Sequence, residues 1–151
     1  MTSLRIENFK SKGKTFLFNL NEYCCYGKKD KCYVQMENLD LTREPMNYST
    51  ADKMHCVSLA ECFLRRGYED YYNDRVLIQK HICGHYSVSE GQHRLCLSSK
   101  IDIPIIVYEK KSNSLCIVCS IEKENRKIKF LNMFRKNKVE VSKPRFYLEK
   151  L

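Results

Sequence analysis

Residues 86–96 read YSVSEGQHRLC, and residues 103–108 read IPIIVY. The first stretch opens with alternating large and small side chains, which is typical of a strand, and Gly91 breaks that pattern. The next nine residues, 92–100, have helical character, and the apolar run at 103–108 predicts another strand. The order strand, glycine, helix, strand predicts a small α/β (α+β) domain with a mixed sheet and a few helices.

The junction at Gly91 has the chemistry of an anion site. Glycine lets a ligand approach the backbone closely, and the first amides of a helix point outward at the positive end of its dipole. Arg94 can offer a bidentate fork to a phosphate, and His93 a further donor. Glu90 is placed to hold a ribose hydroxyl, a metal ion or a substrate proton. The alternative is an ordinary turn, with Arg94 paired to a surface carboxylate.

A helix is predicted upstream of the junction. Apolar residues recur at helical spacing over residues 51–66, and Ser49 or Thr50 can cap the start of this segment. Gly67 directly follows two arginines, which is typical of a helix end.

Several strands complete the expected order of elements. Residues 75–80 and 86–89 predict a hairpin that turns at Cys83 and Gly84. Shorter strands are predicted at 15–20 and 32–36.

The segment EGQHRL at 90–95, between a hairpin and an IPIIV strand, resembles the N-terminal domain of partition protein ParB and its relatives, the ParB/sulfiredoxin superfamily. The likeness extends over about residues 35–108, because the 51–66 helix and the hairpin follow the family's order. The resemblance implies a domain that binds nucleotide phosphates. Members serve as CTP-binding DNA clamps, ATP-dependent reductases, ADP-dependent kinases or nucleases.

The resemblance also assigns roles to residues. It implies that the segment Gly91, Gln92, His93 and Arg94 binds ATP, ADP or CTP, with Mg²⁺ as a possible partner of the nucleotide. Glu90 holds the family's acidic position, and Glu44 falls near the place where kinase members keep a catalytic carboxylate. Sulfiredoxins carry their reactive cysteine where this chain has Gln92, so we expect no such reductase chemistry.

Positive charge is concentrated in the last third of the chain. The whole chain has 27 Lys and Arg against 18 Asp and Glu, but residues 109–151 alone carry twelve basic and five acidic side chains. A basic helix is predicted at 122–137. A tract of this kind is either a solvated face or a surface for DNA. The residues that we expect to contact DNA are Lys127, Lys129, Arg135 and Lys136.

Nine cysteines raise the question of metal binding. Cys116 and Cys119 lie in an apolar run, 115–121, that predicts a strand. Side chains three apart on a strand point to opposite faces, so we expect these sulfurs to diverge and to pack in the core. The alternatives are a zinc site drawn from Cys24, Cys25 and Cys32 and from the hairpin residues His81, Cys83 and His85. We expect no metal site.

Composition sets the broad class of the protein. With 151 residues, 43% of them hydrophobic and 30% charged, the chain has the balance of one globular domain, with residues 109–151 as a basic extension. No apolar run approaches the ~20 residues of a membrane span, and we read no secretory signal. We therefore expect a cytoplasmic protein with free thiols and no membrane partner.

Three functions remain open at this point. The first is a nucleotide-dependent phosphotransferase or hydrolase, in which Glu90 or Glu44 acts as base or metal ligand. The second is a partition- or phage-type DNA-binding module without catalysis, in which the same motif grips a backbone phosphate. The third is an interaction domain with a vestigial site.

Overall fold

The computed structural model describes residues 3–18, 32, 34, 39–42, 44, 52, 54–68, 75–143 and 147–151. These residues form a mixed α/β domain, as the sequence predicts. Its elements in chain order are β1 (Leu4–Phe9), β2 (Thr15–Phe18), α1 (His55–Arg66), β3 (Leu77–Lys80), β4 (Tyr86–Glu90), α2 (Gln92–Lys100), β5 (Ile105–Lys111), α3 (Ile117–Asn132) and β6 (Tyr147–Lys150). None of the helices in this part of the chain is long and apolar enough to cross a membrane.

The six strands form one sheet in the order β1-β5-β3-β4-β2-β6. Strands β3 and β4 are the predicted antiparallel hairpin, with Gln79 opposite Ser87. Helix α2 carries the chain from β4 to β5, which lies parallel to β3. Strand β4 therefore lies inside the sheet, and its carboxyl end delivers Gly91 to the start of α2.

The main core lies between the sheet and α2. Phe16 stacks on Tyr86 with ring centroids 5.2 Å apart, and Phe9 meets the Tyr86 ring edge-on at 5.9 Å. Leu95 of α2 is fully buried in this cluster, together with Val107 of β5. Because a buried leucine is among the strongest anchors of a helix, Leu95 fixes the position of α2 on the sheet.

Helix α1 packs on α2 through a second apolar cluster. Val57, Ala60 and Phe63 of α1 meet Leu97 of α2 there. The predicted helix ends where expected, since the Gly67 amide donates to the Phe63 carbonyl at 2.9 Å and Gly67 has φ of +74°. It begins at His55, later than predicted, and the proposed caps Ser49 and Thr50 lie outside the described residues.

The prediction of a strand at 115–121 is wrong. Residues 117–132 form helix α3, and Cys116 caps it because its sulfur accepts a hydrogen bond from the Cys119 amide at 3.5 Å. The helix predicted at 122–137 therefore starts five residues earlier and ends at Asn132. Apolar β-branched residues open α3, and this composition favours a strand when read without tertiary contacts.

The edges of the sheet were not predicted. Strand β1 pairs antiparallel with β5, and β6 pairs antiparallel with β2. Of the strand predicted at 32–36, Cys32 and Val34 are described and lie outside any strand, and the rest falls outside the described residues. Strand β5 extends from Ile105 to Lys111, so it begins and ends later than the strand predicted at 103–108.

Candidate functional site

Gly91 connects β4 to α2 in a conformation that suits glycine alone. Its φ is +83°, in the left-handed region. A Cβ added here would lie 2.7 Å from Cγ2 of Val76 and 3.1 Å from its Cα, and Val76 is fully buried. The start of α2 is therefore pressed against the residue that leads into β3.

The four residues that follow the strand lie together at the start of α2, as the sequence predicts. Gln92, His93 and Arg94 form its first turn and are all half-buried, and Glu90 is exposed at the end of β4. This first turn, which the structure describes in full, contains no acidic residue, and no side chain of the described residues caps it. The helix dipole and Arg94 supply the positive charge that an anion site requires, and Glu90 offsets part of it.

His93 also contacts the start of α1, and the sequence did not reveal this contact. Its ring meets the ring of His55, the first residue of α1, edge-on with centroids 5.4 Å apart. Its Nδ1 lies 3.0 Å from Sγ of Cys56. Burial lowers the pKa of His93 below its ordinary value, and the neighbouring His55 lowers it further. The signal in the sequence was His55, one turn into the helix predicted at 51–66.

Two helix N-termini therefore meet at this point. The first turn of α1, also described in full, has no acidic residue, just like that of α2. Each N-terminus carries about half a positive charge. The Asp52 carboxylate, which accepts a hydrogen bond from the Met54 amide at 2.7 Å, offsets part of this charge at α1, so α2 and Arg94 supply most of the positive field. An anionic group near His55 and His93 would be attracted by both helices.

Glu44 is not part of this arrangement. Its carboxylate lies 3.9 Å from the guanidinium groups of both Arg65 and Arg66, at the carboxyl end of α1. His55 and His93 meet at the amino end of the same helix, which is twelve residues and therefore about 17 Å long. Glu44 is also highly exposed, so Glu90 is the carboxylate that accompanies the motif.

The predicted nucleic-acid residues are all exposed. Lys127 and Lys129 lie on α3, while Arg135 and Lys136 follow it. Lys127 donates to Glu124 at 2.8 Å, which neutralises part of its charge. Two aromatic rings, Phe130 and Phe134, are exposed among these cations with centroids 5.4 Å apart. A basic surface with exposed rings can bind a nucleic acid strand.

A second group of reactive side chains lies where the turn of the β3–β4 hairpin meets the start of α3. One ligand atom each from Cys83, His85, Cys116 and Cys119 lies within 4.8 Å of all the others. The expectation that Cys116 and Cys119 diverge is wrong, because both lie in the first turn of a helix, where residues three apart share a face. This cluster is the place in the described chain where a metal ion fits.

The remaining metal-site candidates do not join this group. His81 directs Nε2 to the Ser87 hydroxyl at 2.6 Å instead. Cys32 is described and lies outside the cluster, whereas Cys24 and Cys25 fall outside the described residues.

The cysteines of the cluster affect one another's ionisation. Burial raises the pKa of Cys119 to about 12, helped by its hydrogen bond to Cys116. Burial also opposes ionisation of Cys83, but amide hydrogen bonds from Cys116 and His85 outweigh it and lower its pKa below the ordinary value.

No protein-family model matches the chain, and neither a curated protein nor a solved structure matches it. The likeness to the ParB/sulfiredoxin superfamily therefore stays a prediction from the motif and the order of elements.

Proposed function

We propose that the protein binds the phosphate groups of a nucleotide where helices α1 and α2 begin. The observation that carries this proposal is the convergence of two helix N-termini, marked by the contact of His55 with His93. The first turn of α2 holds no acidic residue and supplies the stronger part of this field, whereas at α1 the Asp52 carboxylate accepts a hydrogen bond from the Met54 amide at 2.7 Å and offsets part of that dipole. Phosphate is the common biological ligand for such a field.

The residues of the motif have distinct parts in this proposal. Gly91 lets the backbone turn sharply beside the buried Val76, which sets the direction of the first amides of α2. Arg94 supplies a fixed charge, and His93 supplies a donor that gains a proton when a phosphate comes near. Gln92 contributes its backbone amide, which belongs to the same first turn. Glu90 is suited to a ribose hydroxyl or to a Mg²⁺ ion carried by the nucleotide.

Thermal unfolding of the full chain tests the proposal. ATP, ADP, CTP, GTP and inorganic tripolyphosphate are each added with and without Mg²⁺. A ligand at ~100 times its Kd should raise the Tm by about 5–10 °C for a domain of this size. The shift should disappear in Arg94→Ala. It should persist in Arg126→Ala, a matched control on the exposed surface of α3.

The pattern of shifts separates phosphate recognition from base recognition. A shift with tripolyphosphate and with every nucleotide identifies phosphate as the ligand, while a shift with one nucleotide alone names the cofactor. Glu90→Gln should keep the shift and lose its dependence on Mg²⁺. No shift with any of these compounds, or an equal shift in Arg94→Ala, would overturn the proposal.

A second candidate function, nucleic-acid binding, is supported by the exposure of α3 and the segment after it. Residues 117–143 carry eight basic and three acidic side chains, and every one of the eight basic residues is exposed. If DNA binds here, its affinity should fall steeply with salt, and Lys127→Glu with Lys129→Glu should flatten that dependence. Arg94→Ala would leave it unchanged, which distinguishes this function from the first.

A further inference from the structure

We propose that Cys83, His85, Cys116 and Cys119 bind one structural Zn²⁺ ion, which fastens the start of α3 to the β3–β4 hairpin. Three cysteines and one histidine are an established ligand set for structural zinc. The proposal is independent of the phosphate site, because these four residues lie at the β3–β4 turn and the start of α3, away from the starts of α1 and α2.

Two distances within the cluster match those of a tetrahedral metal centre. Nδ1 of His85 lies 3.5 Å from the Cys116 sulfur and 3.4 Å from the Cys119 sulfur. Zinc bonds of about 2.3 Å to sulfur and about 2.0–2.1 Å to nitrogen place those atoms about 3.6 Å apart in a tetrahedron. The four side chains are therefore arranged to close around one ion with little movement.

The backbone holds the two halves of the cluster side by side. In the hairpin turn, the Gly84 amide donates to the His81 carbonyl at 2.9 Å, and Gly84 has φ of +82°. This turn places Cys83 and His85 on either side of the glycine. The Ile82 amide then donates to the Ser114 carbonyl at 3.2 Å, which joins the hairpin to the loop before α3.

An amide donor reaches one of the sulfurs, as in metal–thiolate sites. The Cys119 amide lies 3.5 Å from the Cys116 sulfur. Such hydrogen bonds orient thiolate ligands and spread their negative charge. Cys116 is fully buried next to Leu17 and Val118, so water is kept from one side of the site.

Helix α3 has little core contact of its own. It has sixteen residues, and Val118 is the one it buries. Four protein ligands leave no open position on the ion, so the metal would hold structure and not perform catalysis. A pair of cysteines at a helix start can also form a redox-active dithiol. Cys83 and His85 complete a metal set, which a dithiol does not require.

Metal analysis of the full chain tests the proposal. The protein is purified under reducing conditions with Zn²⁺ in the medium, and its metal content is measured by mass spectrometry. We expect one zinc per chain in the wild type and in Cys62→Ser, a control cysteine on α1. Cys83→Ser, Cys119→Ser and His85→Ala should lose it. His85→Cys should retain it, because a fourth thiolate is also a zinc ligand.

Cobalt replacement and unfolding supply readouts that do not depend on the yield of a variant. Co²⁺ added to the chelated wild type should give the visible bands of a tetrahedral ion and a thiolate charge-transfer band, altered in His85→Cys. Chelation should lower the Tm by about 10 °C and Zn²⁺ should restore it. Absence of bound metal together with an unchanged Tm on chelation would overturn the proposal. A Cys116–Cys119 disulfide found with no metal binding would overturn it in favour of a redox dithiol.

Discussion

Helices α2 and α3 both begin directly after a strand and a short junction, yet their first turns carry opposite chemistry. Helix α2 starts at a left-handed glycine and presents His93 and Arg94, which are donors. Helix α3 starts at Cys116, whose sulfur already accepts the Cys119 amide. The first start is suited to an anion and the second to a metal cation. Under the two proposals, the side chains around a helix N-terminus decide the sign of its ligand, and the dipole alone does not.

The two helices also differ in their attachment to the domain. Helix α2 buries Leu95 and Leu97 within nine residues, whereas α3 buries Val118 alone within sixteen. At the far end of α3, Phe130 is exposed, and so is Met133, the residue that follows the helix. The position of α2 follows from core packing, whereas α3 is held by its first turn and by hydrogen bonds between Asn125 and Ser142 and between Asn132 and Val139.

The largest effect should come from breaking the packing of α2. Leu95→Ala removes a fully buried side chain and leaves a cavity between α2 and the sheet, so it should cost about 3 kcal/mol of unfolding free energy. Phe130→Ala on α3 should change the stability by less than about 0.5 kcal/mol, although it removes a larger side chain. Urea denaturation measures both free-energy changes, provided that the dependence of the unfolding free energy on urea concentration is the same in the two variants.

Equal losses in these two variants would contradict the comparison. They would show that Phe130 packs against the domain in solution.

A smaller effect should distinguish the two demands on Gly91. In Gly91→Ala, left-handed backbone costs about 1 kcal/mol and the approach to Val76 adds a similar or larger amount, for a total of about 2–3 kcal/mol. Gly13→Ala is the matched control, because Gly13 has φ of +78° and nothing within 4 Å of an added Cβ. It should cost about 1 kcal/mol. Urea midpoints that coincide for the two variants would show that Val76 yields and that the junction is loose.

Local signals in the sequence predicted the region around Gly91 well. The glycines at 67 and 91 have positive φ, and the apolar run of β5 is buried at the alternate positions Ile105 and Val107. Here turn chemistry, periodicity and tertiary packing agree, so a reading of short segments is sufficient. The contact with His55 needed the packing of α1 against α2, which no local pattern contains.

The sequence failed at α3 and at the sheet edges for a different reason. Residues 115–121 combine apolar and β-branched side chains, and periodicity cannot separate a short buried helix turn from a strand in such a run. A helix lets Cys116 and Cys119 both face Cys83 and His85, whereas a strand does not. That contact joins residues about 31 to 36 positions apart in the chain. Strands β1 and β6 likewise depend on partners at the opposite ends of the sequence.

The smallest effect concerns the proton on His93. Because burial and His55 lower its pKa in the folded chain, the unfolded chain binds a proton first as the pH falls below about 6.5. The unfolding free energy should therefore decrease from pH 6.5 downward, by at most about 1.4 kcal/mol per pH unit for this one proton. Above pH 6.5 this group should have no effect. In His93→Gln the decrease, followed by urea denaturation at each pH, should be flatter.

A phosphate ligand should reverse this dependence. An anion near His93 favours the imidazolium, so binding takes up a proton and tripolyphosphate should bind more tightly as the pH falls from 7.5 to 6, while the ligand itself stays highly charged. The Tm shift at fixed tripolyphosphate, measured across this range in wild type and His93→Gln, reports the coupling. An affinity that does not change with pH, or that changes equally in both proteins, would place the phosphate away from His93. The start of α2 would then hold its histidine only as a packing partner of α1.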